Sequence, residues 1–126
     1  MALFHAVVHT DHQSADVLQF DTDQVLVQKV KAHAHDTPQH HSGVRTEHEF
    51  FGAVCDALAG ISEVLITGNH TAVADFRHYV EKHRPRVAPH IVGYEVVDHP
   101  SQNQLVALAR KFFANFNQMA GRPSTG

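Results

Sequence analysis

Cysteine is almost absent from this chain, and the lone Cys55 excludes an internal disulfide and suits a reducing cytoplasm. Charge is sparse as well. Only 18% of residues are charged and the formal net charge is -3, which argues against an indiscriminate nucleic-acid binder at neutral pH while leaving room for a local basic patch. No run approaches the roughly 18–20 apolar residues that a membrane-crossing helix needs, so no membrane partner is expected. The start, MALFHAVVHT, lacks the basic opening and long apolar core of a signal peptide. Nor is there a GxSxG, HExxH or GxxxxGK[ST] pattern, which removes three ready-made kinds of catalytic centre.

What is present is a globular mixture with 43% apolar residues in 126. A chain of that length buries about two-thirds of its unfolded surface and needs no staple or structural metal. Thirteen histidines make the charge climb steeply as pH falls from about 7 toward 5.

The order of elements reads βββαβαβα. Residues 3–9, 15–20 and 25–33 have the β-branched, turn-bounded pattern of a meander, with Lys29, Lys31 and His33 sharing a strand face. From residue 46 the period changes. Phe50, Phe51, Val54, Cys55 and Leu58 form a helical stripe, Thr46 and Glu49 match a capping box, and Gly60 ends the helix. ISEVLITG at 61–68 reads as a central buried strand. A helix follows over 69–83 with Val73, Phe76 and Val80 inward, then an edge strand over 87–97 containing Pro89 and Gly93. Ser101 and Gln104 cap a last helix, whose stripe is Leu105, Leu108, Phe112, Phe116 and Met119, with Phe113 off the row and Gly121 as its stop. The expected architecture is a single-domain α/β/α sandwich with one mixed sheet over residues 1–120, and a loose tail at 121–126.

Several segments resemble a known family: DHQSADVLQF at 11–20, HAH at 33–35, FFGAVCDALAG with ISEVLITG across 50–68, FRHYVEKHRP at 76–85, and IVGYEVVDHPSQNQLVALARKFF at 91–113. Together they resemble the bacterial family labelled "translational machinery protein", related to the third domain of eukaryotic and archaeal peptide-chain release factors and of Pelota. That resemblance implies an α/β/α sandwich that makes protein contacts around the ribosome, without the GGQ peptide-release sequence. The family's GPG turn followed by lysine is here GNHTAV at 68–73, and its DHPT is DHPS at 98–101. The expected partners are the ribosome, rRNA or a translation-factor protein, in the cytoplasm.

The residues themselves leave three sites open. KAHAHDTPQHHSG at 31–43 carries His33, His35, His40 and His41, whose imidazoles suit zinc, nickel or copper; a polar loop of solvated rings is the plainer alternative. His48 and Asp36 are possible helpers. The pairs Asp11–His12 and Asp98–His99 offer turn-holding carboxylates, or a convergent patch in which His12, His35 and His99 do acid/base work or contact a phosphate. Such a patch would make the chain a small phosphodiesterase or nuclease-like hydrolase. Gly68-Asn69-His70 can open a helix or expose backbone N–H groups to an anion. Finally, Arg77, Lys82, Arg84 and Arg86, with His78 and His83 between them, form the densest basic stretch. With Lys29 and Lys31 nearby in space, they are candidates to contact RNA or an acidic protein. A metal-binding or pH-responsive homodimer, built on the 31–43 loop, is the remaining alternative.

Overall fold

The computed structural model describes residues 4–21, 23–32 and 42–119. Five strands and three helices follow the expected order: β1 (His5–Thr10), β2 (Ser14–Phe20), β3 (Val25–Lys31), α1 (Ser42–Ala57), β4 (Glu63–Gly68), α2 (His70–His83), β5 (Ile91–Val96) and α3 (Gln102–Met119). The sheet order is β3-β2-β1-β4-β5. The meander is antiparallel, while β1–β4 and β4–β5 run parallel. The expected α/β fold with a mixed sheet is therefore present.

Strand alternation sends side chains into two separate cores. On one face Ala6, Val8, Val17, Val64 and Ile66 meet Phe50, Phe51 and Val54 of α1 and Phe76 and Val80 of α2. On the other, Val7, Leu18, Phe20 and Leu65 meet Leu105, Ala109 and Phe113 of α3. Two helices thus cover one side and one helix the other, the layered solution that buries both faces of a sheet.

Three local expectations are revised. α1 begins at Ser42, so Thr46 lies inside the helix and not at its start. A helical threonine costs only a few tenths of a kcal/mol, too little to set a boundary against propagation. The buried row of α3 is Leu105, Ala109 and Phe113, while Leu108, Phe112 and Phe116 are only partly covered. Steps of four select Phe113 as a core residue, and Ala109 lets the helix lie close to β1. The strand read as 87–97 is shortened to β5, because Ala88–His90, with Pro89, forms a 3-10 turn instead; proline has no N–H for the ladder. β4 is interior and buried along its whole length, as expected, with β1 at the middle of the sheet.

The capping box of α3 is present. Ser101 N–H donates to Gln104 Oε1 at 2.9 Å, and Gln104 N–H donates to Ser101 Oγ at 3.1 Å. No helix among the described residues is long and apolar enough to cross a membrane. Gly121 and the 121–126 tail lie outside the described residues.

Candidate functional site

The parallel strands β1, β4 and β5 all end at one edge of the sheet, at Thr10, Gly68 and Val96. The chain leaving β4 turns to α2 on one face, and the chain leaving β5 turns to α3 on the other. Where successive connections part in this way, an open α/β sheet leaves a crevice. Here the crevice is lined by His9, Asp11 and Asp16 from the hairpin, Asn69 beyond β4, and Asp98 and His99 beyond β5.

Hydrogen bonds fix the state of His9. The Thr67 hydroxyl donates to the Val8 carbonyl at 2.7 Å, so its oxygen is left to accept from His9 Nδ1 at 3.0 Å. Nδ1 therefore carries the hydrogen and Nε2 keeps its lone pair. Burial pushes the His9 pKa below its ordinary 6.5, His99 adds to that, and Asp16 and Asp11 oppose it. Asp16 stands directly across from His9 in the hairpin register. Glu95, aligned with Thr67 on the same side, holds a buried Oε2 with no hydrogen-bond partner among the described residues. The crevice is thus rich in acceptors and carboxylates. It suits an ammonium, a guanidinium or an N–H donor, and it repels the phosphate that the paired Asp–His motifs had suggested.

Each candidate residue now has a place. Asp11 holds the turn, as its turn role predicts: its carboxylate accepts from the backbone N–H groups of Gln13 at 2.7 Å and Ser14 at 2.6 Å. Burial disfavours that charge, but these bonds outweigh it and hold its pKa below the usual 3.8. His99 has a left-handed backbone, φ 38°, and borders the crevice beside Asp98. His12 does not join them. Its Nδ1 lies 2.7 Å from Glu47 Oε2 and its Nε2 3.0 Å from Thr71 Oγ1, which turns the ring toward α1 and α2. His12 is not among the residues that line the crevice with His99, and His35, with Asp36, lies outside the described residues. So do His33, His40 and His41 of the proposed imidazole set. His48 stands in an aromatic group with Tyr79 and His83.

Asn69 caps α2, its side chain accepting from Ala72 N–H at 2.8 Å; the Gly68-Asn69-His70 junction is thus an ordinary helix start. Cys55 is buried, and burial pushes its thiol up to about 11, so it is no nucleophile at neutral pH. The basic stretch is not one patch. Arg84 donates to Asp56 at 2.9 Å and is held also by Tyr79. Arg77 pairs with Glu81 at 3.2 Å and lies over the Tyr94 ring at 5.0 Å. Lys82 and Arg86 are exposed. Lys29 and Lys31 sit on β3, at the opposite edge of the sheet from the β5 residue that Arg77 covers, so they do not extend that cluster.

His9, Asp16 and Thr67 were missed as site residues, as was Glu47. The hairpin itself held the clue: continuing the pairing back from the DHQS turn puts His9 opposite Asp16. Thr67 becomes visible only once β4 is aligned with β1, and no local pattern supplies that alignment.

His5 is the second histidine with a depressed pKa. Burial is the main cause, with Arg110 adding to it and the Glu63 hydrogen bond and charge opposing. In both rings the folded pKa lies below the unfolded 6.5, so below that pH the unfolded chain takes the proton first. Their contribution to stability is complete above about 6.5 and is lost as pH falls through the folded values. We expect the urea midpoint to drop between pH 7.5 and 5.5, and His9→Asn to flatten that drop because an amide can still donate to Thr67. An unchanged pH slope in the variant would contradict the assignment. The lowered Asp11 and Asp21 pKa values act below 3.8, outside this window.

No protein-family model and no curated protein matches the chain. Solved structures do. Pelota of Thermoplasma acidophilum aligns with 85% of this chain at TM-score 0.61 and 14% identity, over 32% of its own length. The archaeal translation termination factor aRF1 aligns with 93% at TM-score 0.57 and 13% identity, over 42% of its length. Dom34 of S. cerevisiae, a translation termination-like factor that acts in RNA quality control and interacts with Hbs1, aligns with 91% at TM-score 0.54 and 11% identity, over 34% of its length. The chain therefore spans less than half of each of these proteins, and at such identities the likeness establishes the fold.

Proposed function

We propose that this chain is a noncatalytic, translation-associated protein of the bacterial family it resembles, docking in the cytoplasm to the ribosome or to a translation-factor protein. The observation that carries this reading is the alignment of 93% of the chain with a region of aRF1, since the match runs through both cores and not one motif. The site chemistry supports it. The hydroxyl that meets His9, that of Thr67, is committed to the Val8 carbonyl, and the crevice presents acceptors suited to the basic side chains of a protein partner. Dom34, a protein that contains this fold over about a third of its length, interacts with Hbs1, which offers a precedent for a protein partner.

Lys82 and Arg86, exposed at the end of α2 and just beyond it, are the main contacts for rRNA or an acidic protein, and Arg77 and Arg84, which already hold acidic partners, are secondary ones. Lys29 and Lys31 provide a separate contact on the β3 edge. The test is co-sedimentation with ribosomes at low and moderate salt. Binding that weakens as salt rises is expected, and Lys82→Glu with Arg86→Glu is expected to weaken it by at least about tenfold, because reversed charges meet like charge in the interface. Clean separation from ribosomal particles and from translation factors at low salt would refute docking.

A further inference from the structure

Next to the hairpin turn, outside the crevice lining, lies a second arrangement of ionisable groups. We propose that His12, Glu47 and Asp75 form a binding site for a divalent cation of the manganese(II) class. The three residues come from separate elements: the β1–β2 turn, α1 and α2. His12 Nδ1 lies 2.7 Å from Glu47 Oε2 and 3.8 Å from Asp75 Oδ2, and one donor atom from each residue lies within 4.8 Å of the others. Oxygen or nitrogen ligands about 2.1 Å from a common ion stand roughly 3 Å apart when adjacent and roughly 4 Å apart when opposed. Small rotations of two carboxylates bring the trio into that range.

The protons of the surrounding hydrogen bonds leave room for the ion. Asn69 Oδ1 accepts from the Ala72 N–H, which identifies it as the amide oxygen, and the Thr71 hydroxyl donates to the same atom at 3.1 Å. With the Thr71 hydroxyl donating to Asn69, its oxygen accepts from His12 Nε2, and this tautomer frees Nδ1 to act as a ligand. Nδ1 directs its lone pair at two carboxylates. A positive charge placed among the three relieves the repulsion between the two carboxylates. A proton on Nδ1 answers one carboxylate and leaves a net charge of minus one. A divalent ion on the neutral ring answers both and leaves none. Thr71 meanwhile holds the ring by its far nitrogen, the outer contact that metal-bound imidazoles use.

The donor set selects the ion. Two carboxylates and one imidazole, with the remaining positions open to water beside the half-exposed Asp75, suit manganese or magnesium better than copper or nickel. The four histidines between residues 33 and 41 are an all-imidazole set with the opposite preference. The site is independent of any role in translation, and its structural effect would be to clasp the turn to both helices.

The experiment is a titration of the untagged full chain with Mn2+, followed by the electron paramagnetic resonance of the free ion. One ion per chain is expected, with Mg2+ competing. Asp75→Asn and Glu47→Gln are each expected to weaken binding by more than about tenfold. A chain with His33, His35, His40 and His41 all changed to alanine is expected to bind as the parent does. Mn2+ is also expected to raise the thermal midpoint of the parent but not of Asp75→Asn, whose exposed side chain can be changed without disturbing the core. The proposal is overturned if millimolar Mn2+ stays free. It is equally overturned if both carboxylate variants bind as the parent does, or if binding disappears with the four histidines.

Discussion

Phe76→Ala is expected to cost about 3–5 kcal/mol, the range for removing a fully buried aromatic ring and leaving a cavity. Phe76 is completely enclosed between α2 and the sheet. Its ring meets that of Phe51 edge-on, with centroids 5.2 Å apart at 89°, a geometry that itself adds about 0.5–1.5 kcal/mol. A domain of this size has only about 5–15 kcal/mol in total. The variant should therefore unfold at far lower urea, with its slope unchanged. A loss below about 1.5 kcal/mol would mean that the layer of α1 and α2 is not closely packed on the sheet. Because that layer holds Glu47 and Asp75, the same variant should also loosen their grip on His12.

Gly68→Ala should be nearly as damaging, for a different reason. A methyl group at residue 68 would overlap the carbonyl oxygen of Thr10 on the neighbouring strand. The obstruction is backbone, and it has nowhere to go: β1 is held by β2 and β4, and β4 by β1 and β5. Overpacking ordinarily costs about 1–3 kcal/mol, and a contact that cannot relax belongs at or beyond the upper end. We expect a loss of about 3 kcal/mol in denaturation, with a changed imidazole titration of His9 because the crevice edge must distort. Gly52→Ala is the control. Its added carbon meets side-chain ends and no backbone, Arg84 Nη2 at 3.0 Å and the Tyr79 hydroxyl at 3.1 Å. Both can give by a few tenths of an ångström, so a smaller loss, about 1 kcal/mol, is expected. Equal losses from the two changes would contradict the close approach of β1 and β4.

The features legible in the sequence were those written in short-range pattern. The meander, the inward face of α2 and the Ser101–Gln104 cap each follow from residues a few positions apart, and Asp11 declared itself by the turn it closes. The core row of α3 was read wrongly because two helical rows carried apolar residues, and only the crossing over β1 chose between them. Phe113 is the clearest case: it packs against the ring of His5, with centroids 4.4 Å apart, a residue at the far end of the chain. The candidate site was the least visible part. Thr67 reaches His9, and Glu47 and Asp75 reach His12, only after distant segments are brought together, and such pairings leave no spacing signature. The Asp–His pairs drew attention because their members are adjacent, yet adjacency did not bring His12 into the crevice lining that holds His99.

The position of β1 in the middle of the sheet has a consequence for how the protein is made. β1 receives β2 within a few residues, but its other neighbour, β4, lies 58 positions downstream at the His5–Glu63 pairing. At translation rates of about 5–20 residues per second, that partner emerges roughly 3–12 seconds later. Throughout that delay the meander has its future interior edge bare, while its outer edge, β3, carries Val25, Leu26 and Val27 exposed even in the finished fold. A nascent chain in this state can add strands at both sides. Its yield should therefore depend on how crowded neighbouring nascent chains are during synthesis, even where the completed protein is stable.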